Sequence, residues 1–273
     1  ETAPAALFFI LMFFVPESPR WLVKNGQEDL AQRILTRIGG DPFARYELAD
    51  IRNTLASETA RVNFSDLAQP RIFKILLLGI FLAVFQQWCG INTILYYAEE
   101  VFTAAGYGVS DILLNIVITG SIMLLSTFLA IHTVDRWGRK ILMLLGAGGL
   151  TIAYLFIGGS YFLHIKGLPV LLLVVIALAI YSFTLAPVVW VLISEIFPNR
   201  IRGAAVSIAV FSLWTASLIL TYTFPFLNES LGTAGTYWLY ALICLIGFIV
   251  IAKKLPETKG RSLEEIERQF VDE

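Results

Sequence analysis

The sequence predicts an all-α integral membrane protein whose centre is a bundle of six spanning helices. Three observations carry that prediction. The 273 residues are 57% hydrophobic and only 15% charged, where a soluble domain carries roughly 25% charged residues, and the mean hydropathy is +0.74. Six apolar runs, at about 72–102, 111–133, 141–162, 169–194, 203–227 and 234–254, each approach or exceed the roughly 20 residues that a helix needs to cross a bilayer. Of the 20 Lys and Arg, 19 fall on the side that a single orientation makes common, counting Lys74 at the start of the first run, and only Lys166 falls on the other.

The elements follow in order. The run Ala3–Val15 is about 13 residues, too short to span, so residues 1–15 are expected to be the end of a transmembrane helix whose start lies upstream. Residues 16–71 form a polar insertion. Leu22, Leu30, Ile34, Leu35 and Ile38 have rough helical spacing. Gly39-Gly40-Asp41-Pro42 stops that helix, and Leu48, Ile51 and Leu55 suggest another. The segment reads as a cytoplasmic helical linker domain.

Residues 72–255 hold the six spans. They must be helices, because a chain in lipid has to satisfy its own backbone hydrogen bonds, and they do not alternate as barrel strands do. The positive-inside rule puts 16–71, 134–140, 195–202 and the tail after 252 inside, with both ends of the six-helix unit in the cytoplasm. Residues 256–273 end in a capping-box pattern, Ser262 followed three positions later by Glu265, which predicts a cytoplasmic surface helix. The localisation expected is a cell membrane crossed several times.

Several function classes drop out. Cys89 and Cys244 lie inside apolar runs and read as free thiols packing as small hydrophobes. His132 and His164 are far apart. No disulfide framework, metal cluster or nucleophile–base pair stands out. No enzyme activity, cofactor or nucleic-acid partner is expected; membrane lipid and a small solute are.

The chemistry sits in the first and fourth spans. Gly90 interrupts the first and Pro187 the fourth, corresponding positions in two triplets of helices. Transporter folds pair inverted triplets in this way, with a midplane cavity between the broken helices. Beside Gly90 stand Gln86, Gln87 and Asn92, followed by Tyr96 and Tyr97. Buried carboxamides without partners cost several kcal/mol, so three in seven residues mark either a site for a neutral, hydroxyl-rich solute or hydrogen-bonded glue between helices. No acid lies in the middle of a span, which argues against a cationic cargo. Trp190, three residues beyond Pro187, and Trp214, halfway along the fifth span, offer aromatic faces for the C–H surface of a sugar, or interface anchors.

Charged motifs sit at the inner ends of the spans. They are Pro16-Glu-Ser-Pro-Arg-Trp-Leu22, Asp135-Arg-Trp-Gly-Arg-Lys140, Glu195-Ile-Phe-Pro-Asn-Arg-Ile-Arg-Gly203 and Pro256-Glu-Thr-Lys-Gly-Arg261. Each mixes acids with bases, which topology alone does not require. Glu17, Arg20, Asp135, Arg136, Arg139, Glu195, Arg202 and Glu257 are candidates for a network that clamps helix ends, Arg offering a planar fork to carboxylates.

With PESPRWL, QQWCGINTILYY, VDRWGRK, PVVWVLISEIFPNRIRG and PETKGRSLEEIE in this order, the chain resembles the C-terminal half of the sugar porter family of the major facilitator superfamily, which includes bacterial xylose and hexose symporters and animal glucose facilitators. The resemblance implies transport of a monosaccharide by alternating access, as proton symporter or facilitator, with an N-terminal six-helix half as partner. A carrier of polyols or other small solutes on the same fold, or a non-transporting sugar sensor, stays open. It also implies roles: Gln86, Gln87 and Asn92 on sugar hydroxyls; Tyr96 and Tyr97 in an outer gate on the broken helix, with Pro187 in the gating helix opposite; Trp190 closing the site from the inner side; Tyr181 and Trp214 lining it; and the charges as an inner latch. Met123, Ala186 and Leu213 depart from the family's usual polar or small residues.

Overall fold

The computed structural model describes residues 2–57, 67, 69–198 and 201–259. Among these there is no strand. The chain divides into two units, Glu1–Val62 and Asn63–Glu273.

The first unit opens with α1 (Thr2–Met12), whose described side chains are all exposed. Pro19 starts α2 (Pro19–Lys24) in the first turn, where its missing N–H would have no partner anyway. The long α3 (Glu28–Ser57) is two helices joined at Gly40, which takes φ 81 and ψ 175 two residues before Pro42; the break falls in the predicted Gly-Gly-Asp-Pro stretch. A small core of Leu22, Val23, Ala31, Leu35, Ala44 and Leu48 holds α2 to both limbs. Leu30 and Ile38, expected on the apolar stripe, are exposed: the buried stripe passes through Ala31 and Leu35, four residues apart, and leaves their neighbours outside.

Arg52 of the second limb forks onto Glu28 at the start of the first, its Nε donating to Oε1 at 3.1 Å and its Nη2 to Oε2. These hydrogen bonds hold the Glu28 carboxyl below its ordinary value of 4.5. A lowered carboxyl stabilises the fold above its unfolded value and loses that contribution as pH falls through the folded one. Amide protection in α3 is therefore expected to decline in acid below pH 4.5, and Arg52→Met should remove that acid step. Hydrogen exchange with and without the substitution checks it; equal acid sensitivity in the two proteins counts against the pairing.

The second unit is α4 (Pro70–Trp88), α5 (Ile91–Tyr96), α6 (Ala98–Ala104), α7 (Val109–Trp137), α8 (Arg139–Phe162), α9 (Leu168–Phe183), α10 (Leu185–Glu195) and α11 (Arg202–Lys254). Among the described residues, five segments are long and apolar enough to cross a membrane. The last of them, α11, has 53 residues and would extend about 80 Å if straight, far beyond a hydrocarbon core of about 30 Å. It is broken at Gly232 (φ 68, ψ 167), so residues 202–231 and 233–254 are two limbs joined without a loop. The unit thus holds six spans, and the loop expected between 227 and 234 is reduced to this joint.

One continuous core runs through the unit, from Ile75 in α4 through Met143, Tyr154, Leu178 and Val189 to Cys244 and Ile251. The heaviest packing sets α11 against α8 and α4. Small residues let the helices close: a Cβ on Gly247 would lie 2.1 Å from the Phe85 ring, and one on Gly158 2.5 Å from Trp238, the membrane counterpart of core packing where lipid gives no hydrophobic drive. By contrast, α7 is mostly exposed along its apolar stretch, whereas α4–α5, α8 and α9–α10 are about half buried. Leu113, Leu124, Leu125 and Phe128 of α7 therefore face outward from the unit. The tail Pro256–Lys259 is not helical, and the surface helix expected at Ser262 lies outside the described residues.

Candidate functional site

Two helix breaks build the site. α4 ends at Trp88, and Gly90 turns left-handed (φ 85, ψ −3) before α5 starts at Ile91. That φ favours glycine, and the space beside it is also taken: a Cβ on Gly90 would lie 2.4 Å from Cγ of Tyr240. Carbonyls freed by the break are satisfied locally, Thr93 Oγ1 donating to Gly90 O at 2.6 Å and Cys89 Sγ to Gln86 O at 3.0 Å. In the fourth span α9 ends at Phe183 and α10 begins at Leu185, with Thr184 at φ −121 and ψ −85 between them. The sequence put this break at Pro187 itself. It falls a turn earlier because the proline ring clashes with the carbonyl four residues back, that of Phe183, and supplies no N–H to it; Pro187 sits in the first turn of α10, where a proline is tolerated.

A chain of carboxamides connects the two breaks. Gln86 Nε2 donates to the Ala186 carbonyl at 3.3 Å, Gln87 Nε2 donates to Gln86 Oε1 at 3.0 Å, and Asn92 Nδ2 donates to Gln87 Oε1. Gln86 and Gln87 are 3% and 6% exposed, so only Asn92 of the three presents appreciable surface. The cluster is thus both interhelical glue and, at its Asn92 end, an open hydrogen-bonding group.

The aromatic candidates divide by exposure. Tyr96, on α5 one turn beyond Asn92, is exposed, as are Trp190, one turn beyond Ala186, and Trp214. Tyr181 is buried in α9. Tyr97 marks a second break (φ −117, ψ 35) between α5 and α6. Its hydroxyl donates to Thr221 O at 3.0 Å, and its ring lies 4.6 Å from that of Phe224, so it fastens the α5–α6 part of the broken helix to α11. Trp88 does the same for α4, Nε1 donating to Ala216 O at 3.1 Å. Among the departures from the family pattern, Leu213 is buried in the core, while Met123 and Ala186 pack partly buried against it.

At the charged end a second cluster forms around Arg139, the first residue of α8. Its Nη2 pairs with Glu195 Oε1 at 2.9 Å and Asp135 Oδ1 at 3.0 Å. Glu257 accepts from the backbone N–H of Arg139 at 2.9 Å and of Lys140 at 3.2 Å, satisfying two of the unpaired donors that open a helix and placing its charge at the positive end of the dipole. The carboxylate fits because residue 138 is Gly, with φ 90 and a Cβ position only 2.6 Å from Glu257 Oε2. Arg202 Nε donates to Phe197 O at 3.1 Å. Arg136 is exposed and contributes its carbonyl, which accepts from Lys259 Nζ. Glu17 and Arg20 lie in the first unit. Sequence reasoning missed Thr258, which is buried and donates to Glu195 Oε2 at 2.9 Å, and the Ala186 carbonyl. Thr258 sat inside a quoted motif, but nothing in its spacing named Glu195 as partner.

The Sugar (and other) transporter family matches residues 1–270. The chain is 37% identical over 269 residues to the arabinose-proton symporter of Bacillus subtilis (strain 168), covering 98% of this chain and 58% of that protein. It is 38% identical over 273 residues to the D-xylose-proton symporter of Escherichia coli (strain K12), covering 98% and 55%. It superposes with a TM-score of 0.81, at 37% identity, on the solved structure of the proton:xylose symporter XylE bound to 6-bromo-6-deoxy-D-glucose, covering 98% of this chain and 57% of that one. The chain thus spans a little over half the length of these relatives. On the match of nearly every residue, and on a fold shared with a solved relative, the chain belongs to the sugar transporter family of the major facilitator superfamily.

Proposed function

We propose that the protein carrying this chain moves a monosaccharide across a cell membrane by alternating access. The chain supplies six helices of the carrier, and a second six-helix half packs against its exposed face. The observation that supports this most is the carboxamide chain joining the two broken helices, open at Asn92. A neutral, hydroxyl-rich cargo matches amides and aromatic faces, and no acid lies in the middle of a span to demand a cation. Residues 72–255 serve as the carrier bundle and 16–71 as a helical linker, with the charged end in the cytoplasm by the distribution of Lys and Arg. Asn92, Tyr96, Trp190 and Trp214 face the cargo, Gln86 and Gln87 support Asn92 from behind, and Tyr97 and Pro187 belong to the moving half-helices.

Uptake of labelled pentoses, hexoses and polyols by the full-length protein in liposomes tests the reading, and an imposed pH gradient separates proton symport from facilitated diffusion. Gln87→Ala breaks the amide chain at its middle and is expected to weaken sugar binding by roughly 1–3 kcal/mol with membrane insertion intact. Unchanged uptake kinetics would remove the amides from the site. Accumulation of polyols with no monosaccharide uptake would reassign the cargo.

A further inference from the structure

We propose that Tyr154, Tyr237 and Tyr240 hold buried water behind the Gly90 break, on the Thr93 side of α5, and that this water lets α5 move. The hydration site stands by itself; its part in movement rests on the sugar-transport reading.

The three tyrosines come from two helices, Tyr154 from α8 and Tyr237 and Tyr240 from the second limb of α11. All are buried, at 0%, 2% and 1% exposure. The Tyr154 ring lies 5.7 Å from that of Tyr237 and 6.2 Å from that of Tyr240, centroid to centroid. Among the described residues none of the three hydroxyls has a hydrogen-bond partner. Thr93 of α5 stands beside the Tyr240 hydroxyl, but it gives its own proton to Gly90 O at 2.6 Å, and the two oxygens do not meet in bonding geometry. Tyr161 shows the contrast. It stacks on Tyr237 at 5.7 Å, and its hydroxyl donates to Val101 O at 2.8 Å.

Phenylalanine would fill each ring position without carrying a polar group into the membrane. A buried hydroxyl left without a partner is costly, and three together mark a place where something bonds to them. That partner must be small and must both donate and accept. The thiols of Cys89 and Cys244 adjoin Tyr154, and neutral phenols and thiols offer counter-charge to neither a cation nor an anion. Water fits, because a buried molecule of it needs about two to four polar partners.

A source lies at the end of the bundle away from Arg139. A cleft of about 470 Å³ opens there between the end of α6, the α8–α9 turn and the Gly232 joint, where Ala104, Tyr161, His164, Lys166 and Thr233 line it. Tyr161 belongs to this cleft and also stacks on Tyr237. Tyr237 adjoins Tyr154, and Tyr154 adjoins Tyr240, whose Cγ lies 2.4 Å from where Gly90 would carry a Cβ. Four phenols thus lead from the cleft to the back of the break. There the water has a task. The Thr93 N–H that a regular helix would give to Cys89 O goes to Gly90 O instead, at 3.2 Å. Cys89 O receives the Cys244 thiol at 3.7 Å, a weak donor. Ordered water re-satisfies backbone groups freed at a break in a membrane helix, so water among the tyrosines exchanges hydrogen bonds with such groups as α5 shifts.

Radiolytic hydroxyl labelling of the full-length carrier reads bound water, because radicals formed from water held at a side chain oxidise that side chain without access from outside. Tyr154, Tyr237 and Tyr240 should be oxidised well above Phe197, which is as deeply buried. The triple substitution Tyr154→Phe/Tyr237→Phe/Tyr240→Phe keeps the rings and removes the hydroxyls. Labelling at these positions should then drop to the Phe197 level, and uptake should slow roughly three- to tenfold with cargo affinity unchanged. Tyr240→Phe alone reads the same quantities should the triple variant not fold. Background labelling of the three tyrosines in the unsubstituted protein overturns the hydration site. Labelling that survives loss of the hydroxyls overturns its assignment to these phenols. Labelling lost with uptake unchanged overturns the role in movement. Failure to transport any monosaccharide sinks the transport reading, and with it the role in movement, whereas the labelling decides hydration by itself.

Discussion

Gly90→Ala is expected to abolish sugar uptake while the protein still inserts in the membrane. Two costs coincide at this position. An L side chain at φ 85 is disfavoured by roughly 1–2 kcal/mol. The added Cβ would also sit 2.4 Å from Tyr240 Cγ, and overpacking of a core costs typically about 1–3 kcal/mol. Tyr240 cannot swing clear, because it is buried and the ring of Tyr154 stands 6.2 Å from it. The cheapest escape is to straighten the break, which moves α5 and with it Asn92 and Tyr96. The expected result is a midpoint of thermal unfolding in detergent several degrees lower, and uptake lost out of proportion to that fall. Gly90→Ala/Tyr240→Val removes the clash but not the φ term, so it should recover part of the stability and little of the uptake. Wild-type uptake in Gly90→Ala would show that the left-handed turn is dispensable.

Arg139→Ala should slow transport with cargo affinity preserved to within about twofold. The guanidinium is mostly buried, at 13% exposure, and Glu195 is 28% exposed, so the pair is worth more than the roughly 0–1 kcal/mol of a surface salt bridge and less than a fully buried one. Its removal leaves Glu195 with Thr258 alone as a side-chain partner among the described residues, and α10 and the α7–α8 turn lose the guanidinium that joins them, while the backbone N–H of residue 139 still holds Glu257 of the tail. Alternating access requires only a small bias between states, and the expected change is a larger inward-open population. A cysteine placed in the mouth at the charged end should react faster with a soluble maleimide. Wild-type reactivity and wild-type rate together would leave these charges with topology as their sole role.

The fold was largely legible because apolar runs and the Lys/Arg distribution are one-dimensional signals. The breaks were legible to within a turn: Gly90 is itself the left-handed residue, whereas Pro187 acts on a carbonyl four positions back and so displaces its break to Thr184. The joint at Gly232 was read as a loop because the polar Asn228-Glu229-Ser230 before it looks like one, yet these residues continue the helix. The residues of the candidate site could be named from the sequence, but not their arrangement. Three carboxamides in a membrane span announce hydrogen bonding, but that the two glutamines are buried and Asn92 only half-buried depends on the facing helix. Likewise the charged motifs named Arg139, Glu195 and Glu257, while the main-chain N–H groups that Glu257 caps carry no mark in a sequence.

The carboxylate of Glu257 has a practical corollary. The residue lies beyond the last span, in a stretch without helix, yet it completes the start of α8, nearly 120 residues earlier in the chain. An expression plasmid trimmed at Leu255 would retain every hydrophobic segment and still deliver a carrier whose α8 begins uncapped. Affinity handles and fluorescent fusions are better joined after Lys259, which leaves Glu257, Thr258 and Lys259 to make their contacts. A purified half-carrier cut shorter is expected to fail in quality control for want of three residues that no hydropathy plot would miss.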